Sequence, residues 1–311
     1  MSRRLRVAAL LGILAIADGC DSATRHDSSA PDSALLAQRE ARLEQKLAHP
    51  DSDVAAPLAR WQLPESLQEI SGLALTADGR LLTHGDSRGR VFQVDYRRGT
   101  VVKEFTLGNP VAHADFESIT TVGDTVMLLA SDGILYQFAE GGNGKSVEYT
   151  TQDTGLGDKC EFEGLAYDAT LKALLLACKK VHDKALKDSL IVYRWPLAPA
   201  KDTGKAKSKK NDQKFSYLAV PLARIIGSND WTELHPSDIT IDPFNGNYVL
   251  IASREKALFE ITPGGAVVFA RPLPPGHEQA EGVAITRDSI LIISDEAKGG
   301  PAVITLYRWS R

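Results

Sequence analysis

The stretch KCEFEGLAYDATLKALLLACKK, from Lys159 to Lys180, contains two apolar segments separated by a polar turn. The segments GLAYD and ALLLACK have the length and composition of two neighbouring β-strands that a turn near Ala169 connects. Two carboxylates, Glu161 and Glu163, stand at the start of the first segment. A charged group at the start of a buried strand is unfavourable unless it has a partner, so we expect these acids to have one.

The same arrangement recurs along the chain. First strands begin with SGLAL at Ser71, ESITT at Glu117, EGLAY at Glu163, SDITI at Ser237 and EGVAI at Glu281, at spacings of 46, 46, 74 and 44 residues. Three further strand-like segments follow each of the first four, and two follow the fifth. Short strands that repeat at a near-constant period indicate a radial repeat fold. The sequence therefore predicts an all-β protein, a five-bladed β-propeller of four-stranded blades.

The fifth unit is one strand short, and an unassigned strand precedes the first unit. This segment, LARWQLP from Leu58 to Pro64, is expected to complete the fifth blade, so that an N-terminal strand closes the ring and leaves no open edge. The long third unit leaves six blades as the alternative, with a degenerate blade within residues 180–236. Its extra length is also explained by a lysine-rich stretch, residues 198–214, typical of a solvated loop or of a surface for anionic headgroups.

The N-terminal residues predict an export signal. Three arginines precede the apolar run of residues 7–17, which is too short to span a bilayer, and Cys20 follows small residues. Residues 1–20 therefore resemble a bacterial lipoprotein signal peptide whose cysteine is lipidated after cleavage. An ordinary cleaved secretory signal and an uncleaved anchor are the alternatives. We expect a lipid-anchored protein on the periplasmic side of the cell envelope, with Asp21 favouring the inner membrane, or else a protein secreted to the periplasm.

Residues 21–56 predict a polar tether with a short helix. The stretch ALLAQREARLEQKLAHP places Leu36, Leu43 and Leu47 on one side of a helix. We interpret this helix as a spacer that holds the domain away from the membrane, with a docking helix for a partner as the alternative. Residues 57–311 form the predicted propeller domain.

The strand-start acids predict a metal site. The first strand of each blade lines the central channel, so Glu117, Glu163 and Glu281 converge on the axis, with Asp115 and Glu69 close by. Such carboxylates repel one another and their pKa values rise unless a cation compensates them. Hard oxygen donors without matching His or Cys suit calcium or magnesium better than zinc. We expect calcium, which would also stiffen a ring that nothing else ties together at its centre.

Two other interpretations of the acids stay open. Strand-end carboxylates also cap backbone N–H groups or solvate a water-filled channel. Lys179 and Arg254, which end the matching second strands, provide cations that would neutralise the acids as ion pairs. Such pairing is the main argument against a metal.

Several segments together resemble the SdiA-regulated (YjiK-like) family of bacterial envelope proteins, which are distantly similar to NHL-repeat proteins. These segments are EISGLALTADGRLLTHGDSRGRVFQVD, DFESI, FEGLAYD with LLLACK, HPSDITIDPFNGNYVLIAS, and QAEGVAI with IISDE, between Leu63 and Glu296. The resemblance implies a five-bladed propeller with a calcium site and no established enzymatic activity. The acidic positions that match are Glu117, Glu163 and Glu281, followed by Asp115 and Glu69.

The predicted function is that of an interaction module for an unknown protein or envelope ligand. The protein would reach the membrane through lipidated Cys20 and act as a monomer. A net charge of −4 does not indicate a nucleic-acid-binding protein. The alternative is a metal-dependent phosphoester or ester hydrolase of the esterase-like phytase type. Ser71 and Ser237 would be its nucleophiles, although no nucleophile-elbow motif accompanies them.

Two cysteines flank the hairpin quoted above. Cys160 and Cys178 are symmetric about its turn, so we expect them to face each other across paired strands. Outside the cytoplasm this arrangement predicts a disulfide, and two buried thiols are the alternative.

Overall fold

The computed structural model describes residues 33–49, 56–197, 215–227 and 229–310. Cys20, Asp21 and the lysine-rich stretch of residues 198–214 lie outside the described residues, and so do the predictions made for them. Among the helices that are described, none combines the length and the apolar character needed to cross a membrane.

The described chain contains a helix followed by twenty-one strands and one short second helix. The first elements are α1 (Ser33–Ala48), β1 (Ala59–Gln62) and a single 3-10 turn (Glu65–Leu67). Blade 1 contains β2 (Ile70–Leu75), β3 (Leu81–Gly85), β4 (Arg90–Asp95) and β5 (Thr100–Leu107). Blade 2 contains β6 (Phe116–Val122), β7 (Thr125–Ala130), β8 (Ile134–Ala139) and β10 (Tyr149–Asp153). The two-residue strand β9 (Ser146–Val147), between β8 and β10 in sequence, is an addition to the four-stranded plan and pairs in parallel with β5 at the edge of blade 1.

The remaining blades follow the same plan. Blade 3 contains β11 (Cys160–Asp168), β12 (Ala173–Val181), β13 (Ser189–Pro196) and β14 (Ser216–Pro221), and α2 (Leu222–Ile226) follows it. Blade 4 contains β15 (Asp238–Ile241), β16 (Tyr248–Ala252), β17 (Ala257–Ile261) and β18 (Val267–Pro272). Blade 5 contains β19 (Ala280–Ile285), β20 (Ile290–Asp295), β21 (Val303–Arg308) and, from the other end of the chain, β1.

The five sheets form a closed ring, which confirms the predicted five-bladed propeller. Within each blade the strands pair antiparallel, and the first strands β2, β6, β11, β15 and β19 each contact the first strands of both neighbouring blades. β1 pairs with β21, with Ala59 opposite Leu306 and Gln62 opposite Val303, so the N-terminal strand closes the ring as predicted. The six-bladed alternative is wrong, because β13 and β14 pair within one blade on either side of residues 198–214.

The hydrophobic core is divided into five clusters, one for each contact between neighbouring blades. Leu175 of blade 3 packs with Leu250 of blade 4 in one cluster, and Val249 of blade 4 lies with Ile293 of blade 5 in the next. Alternate residues of a strand point to opposite faces of its sheet. Each blade therefore buries both faces against its neighbours.

Glycine lets the first strands approach one another near the axis. A Cβ at Gly72 would lie 2.8 Å from the Cα of Ser118, and one at Gly282 would lie 2.8 Å from the carbonyl oxygen of Ser71. Contacts this short are not tolerated, so the glycine of the repeated GLA and GVA motifs is required by strand packing.

Helix α1 forms at the predicted place but is part of the folded body. Leu43 is 1% exposed within the cluster between blades 1 and 5, and Leu47 packs against that cluster. The guanidinium of Arg39 donates to the carbonyl oxygen of Arg98 (2.8 Å), and Glu40 accepts from the Arg98 guanidinium (2.6 Å). The leucine face of this helix therefore lies on the propeller, and the tether role of residues 21–56 stays a prediction.

Cys160 and Cys178 form a disulfide, with their Cα atoms 5.7 Å apart. They are not directly opposite in the ladder, since Cys160 lies opposite Val181 and Cys178 lies opposite Phe162. Two irregularities in pairing between Glu161 and Gly164 shift the register. The bond therefore joins diagonal neighbours, close to the mouth of the channel.

Candidate cation site at the axial mouth

One buried carboxylate lies at the axis, where the five blades meet. Asp238, at the start of β15, is fully buried; it accepts from Ser118 Oγ and from the Val283 backbone N–H, both at 2.8 Å. The Leu73 backbone N–H also donates to it, and Ser118 Oγ accepts from the Leu165 N–H (2.9 Å). This network joins all five blades at the axis. Burial nevertheless raises the pKa of Asp238 to about 8.

This network sets Asp238 apart from the other axial acids and corrects the expectation that nothing else ties the ring together at its centre. Asp238 is a structural group below the mouth and does not add to the acids at the surface. The ring is also tied together at its centre without a metal ion, because hydrogen bonds from the other blades converge on Asp238 directly or through Ser118.

Above this network lies a set of carboxylates that we call the acidic mouth. It is formed by the strand-start acids and by acids of the adjoining turns, namely Glu69, Asp86, Asp115, Glu117, Glu161, Glu163, Glu281 and Glu296. All five acids predicted as metal ligands belong to it: Glu69, Asp115, Glu117, Glu163 and Glu281. The predicted residues are thus brought to one end of the channel.

Glu117 and Glu281 are the most strongly perturbed members of the acidic mouth. Burial, followed by the charge of Asp115, raises the pKa of Glu117 to about 8, and Glu281 and Asp86 add to the increase. Burial and the charge of Glu296 raise the pKa of Glu281 to about 7. The two glutamates therefore face other negative charges with little solvent to screen them.

The opposite rim of the mouth shows the same repulsion. Burial, a hydrogen bond to the Glu69 carboxyl and the charge of Glu69 raise the pKa of Asp86. Burial and the charges of Asp86 and Glu69 raise the pKa of Glu296. The hydroxyl of Ser87 donates a hydrogen bond to Glu69 Oε2 at 3.2 Å. This end of the channel therefore attracts cations.

Lys179 provides a cation within the mouth. Its ammonium contacts Glu163 Oε1 and lies 4.0 Å from Glu161 Oε1. Its positive charge also acts on Glu117 and Glu281, lowering the pKa of each against the larger effect of burial. The predicted ion pairing of Lys179 is confirmed. Arg254 instead lies 3.9 Å from Glu233 and is mostly exposed.

The donor chemistry of the mouth fits calcium, while its present arrangement is not that of a completed metal site. Carboxylate oxygens are the ligands that calcium prefers, and the uncompensated charge favours a divalent ion. Across residues 33–49, 56–197, 215–227 and 229–310, no group of three or more His, Cys, Asp or Glu side chains is arranged to hold a metal ion.

The residues considered for hydrolysis have structural roles. The hydroxyls of Ser71 and Ser237 donate to the carbonyl oxygens of Glu117 (2.8 Å) and Ala280 (2.7 Å), so each links two neighbouring blades. His84 is fully buried, and burial lowers its pKa to about 4. These groups are not arranged as a nucleophile with its base.

The other end of the channel opens into a cavity of about 1180 Å³, which we call the funnel. All five blades line it with the ends of their first strands and the turns that follow, including Tyr167 and Phe244. Its buried aspartates already have partners. Asp168 accepts from the Tyr248 hydroxyl (2.8 Å), and Asp242 accepts from the indole N–H of Trp309 (2.9 Å). The funnel thus offers a mainly uncharged, concave surface.

Sequence reasoning missed the axial network although a signal was present. The residue after each strand-start position is Gly72, Ser118, Gly164, Asp238 or Gly282. Two polar side chains among three glycines mark the positions whose side chains meet at the axis. Ser118 and Asp238 belong to blades that are not neighbours, so their hydrogen bond crosses the channel.

The sequence matches no protein-family model and no curated protein. Among solved structures, the chain is similar to the glutaminyl cyclase of Myxococcus xanthus, with a TM-score of 0.52 and 12% identity over 81% of this chain and 94% of that chain. It is also similar to the PQQ-bound aldose sugar dehydrogenase of Streptomyces coelicolor, with a TM-score of 0.50 and 15% identity over 81% and 99%. At these identities the likeness concerns the fold alone. Membership of the SdiA-regulated family stays a prediction.

Proposed function

We propose that this protein is a calcium-binding β-propeller of the bacterial envelope that acts as a binding module. The observation that supports it is the charge imbalance of the acidic mouth. Glu117 and Glu281 are half-buried beside further carboxylates, and burial together with those charges raises their pKa values to about 8 and 7, which a bound cation would counteract.

Glu117, Glu163 and Glu281 would hold the ion, with Asp115 and Glu69 at the rim. Calcium accepts six to eight oxygen ligands in flexible geometry, so it suits carboxylates from three separate strands and two adjoining turns better than magnesium does. When bound, the ion supplies positive charge that permits these glutamates to ionise together. Its role would be to stabilise the mouth, since the axis below is already joined through Asp238.

Binding is favoured over hydrolysis by the state of the cations near the mouth. A phosphoesterase would need free cations to hold the substrate phosphate. Of the two cations considered, the Arg254 guanidinium points towards Glu233, and Lys179 alone lies among the carboxylates, which outnumber it. The funnel, at the far end of the channel, offers the envelope ligand of the binding module a concave surface of sufficient volume.

Envelope anchoring through Cys20 belongs to the same proposal and is supported by the signal-like residues 1–20. It predicts incorporation of labelled palmitate by the intact protein and its loss in Cys20→Ser. A Cys20→Ser protein that is labelled as strongly as the wild type would contradict the anchor.

The calcium proposal is tested by thermal unfolding of the full chain in EDTA, calcium and magnesium, with bound metal measured in the same samples. We expect a calcium-specific rise in Tm and about one ion per chain, both reduced in Glu281→Gln. The control is Glu148→Gln, which removes an exposed acid between β9 and β10. An unchanged Tm in calcium and no bound ion would refute the proposal.

A further inference from the structure

We propose that Lys179 is a built-in competitor of the metal ion: its ammonium occupies the cation position of the acidic mouth, and calcium binds by displacing it. This inference rests on the proposed calcium site and adds the residue that sets its affinity. The ion would then exchange with a side chain of the same protein, and the mouth would never lack a cation.

The position of the ammonium supports this role. Lys179 Nζ contacts Glu163 Oε1, lies 4.0 Å from Glu161 Oε1, and its charge is felt by both Glu117 and Glu281. It therefore acts on carboxylates from blades 2, 3 and 5 together. A metal ion held by these same glutamates would lie close to the lysine ammonium, and the two cations exclude each other electrostatically.

Burial shows which partner is able to move. The side chain of Glu163 is 7% exposed, whereas that of Lys179 is 38% exposed. A buried carboxylate that loses its cation is strongly destabilised, so Glu163 requires one at all times. The lysine has a flexible stem of four carbons and reaches water easily. The exchange therefore moves Lys179 outwards and leaves Glu163 in place.

The consequence is a weakened calcium affinity. The free energy of the Lys179–Glu163 pair is lost each time calcium binds, so the measured affinity is lower than that of the same carboxylates without the lysine. Lysine at this position sets the calcium concentration at which the site becomes occupied.

The test compares Lys179→Met with Lys180→Met in calcium titrations by calorimetry at constant pH and ionic strength. Lys180 is the next residue of β12, is exposed and lies opposite Glu161 at the rim, so its replacement removes the same charge without removing the ammonium beside Glu163. We expect Lys179→Met to bind calcium roughly tenfold more tightly or better, because an adjacent positive charge is removed. Lys180→Met is expected to stay within about a factor of two of the wild type, since exposed charges are screened.

A second measurement uses the wild-type protein and does not depend on the folding of a variant. Amine acetylation at Lys179 and Lys180 is followed by mass spectrometry in EDTA and in calcium. We expect calcium to increase the labelling rate of Lys179 several-fold, because the displaced amine is released from its ion pair with Glu163 and becomes accessible to the reagent. The rate at Lys180 is the internal reference and is expected to be unchanged.

The outcomes separate this inference from the calcium proposal. Equal calcium affinities in the wild type and Lys179→Met, with unchanged labelling of Lys179, would overturn the competitor role and leave the calcium site standing. Binding by Lys179→Met alone would support the competitor role and remove calcium from the function of the native protein. Binding by neither protein would overturn both.

Discussion

The acidic mouth makes a quantitative prediction for Glu117→Gln in the absence of metal. Glu117 titrates with a pKa near 4.5 in an unfolded chain and of about 8 in the fold. The folded protein therefore holds this proton more tightly, and its contribution to stability is present at low pH and is lost as pH rises towards 8. One pKa unit corresponds to about 1.36 kcal/mol, so the loss between pH 5 and pH 8 is on the order of 3 to 4 kcal/mol.

Glutamine resembles the protonated form of Glu117 and does not ionise. We expect Glu117→Gln to be more stable than the wild type by about 4 kcal/mol at pH 8 and by only about 1 kcal/mol at pH 5, in EDTA. The stability of the variant still falls over the same pH range, but by less, because Glu281, with a pKa of about 7, also ionises there. Replacing a charged group thus stabilises the metal-free protein.

The assay is urea unfolding in EDTA at pH 5, 6, 7 and 8, with Glu148→Gln as the control for loss of an exposed charge. In calcium, the order at pH 8 should reverse, because the wild type gains an ion that the variant holds poorly. A Glu117→Gln protein with the pH dependence of the wild type, and no gain at pH 8 in EDTA, would refute the electrostatic argument.

Three further predictions concern the groups that hold the fold together. Asp238→Asn should lower the free energy of unfolding by about 2 to 4 kcal/mol in urea unfolding, because the N–H groups of the new amide would face the donors that Asp238 now accepts from. A loss below about 1 kcal/mol would contradict the axial network. Leu43→Ala should cost about 2 to 5 kcal/mol through the cavity it leaves, and Leu35→Ala, at a residue that is 42% exposed, should cost little; equal effects would show that the helix is not docked. Reducing the bond between Cys160 and Cys178 should lower stability by about 2 to 4 kcal/mol, as measured by unfolding with and without dithiothreitol, and an unchanged midpoint would be the contrary result.

The sequence by itself determined the number of blades and the closure of the ring. Both follow from local information, because short apolar segments are separated by turn residues and the strand-start motif repeats along the chain. The disulfide was also predictable, since Cys160 and Cys178 flank a single hairpin. The local irregularities that make it diagonal were not, because a bulge depends on how the two strands pair.

The sequence also placed the strand-start glutamates at one end of the channel, but it did not show which charged groups each of them faces. Glu163 and Glu117 occupy the same position of the repeat, yet one is paired with Lys179 and the other faces further carboxylates. Lys179 belongs to the same blade as Glu163, whereas Glu117 faces Asp115 of its own repeat together with acids of blades 1 and 5. How close these charges come depends on strand pairing and on the arrangement of the blades around the axis, which a single repeat does not contain.

The tertiary structure alone decided the positions of Asp238 and of helix α1. In the sequence, Asp238 directly follows a strand-start position and resembles the acids of the mouth. Only the structure shows that its carboxylate accepts a hydrogen bond from Ser118 across the channel. From the sequence alone, Leu43 is equally compatible with a spacer helix and with a helix docked on the propeller. The docking is fixed by the apolar cleft between blades 1 and 5, which exists only when the two ends of the chain have closed the ring.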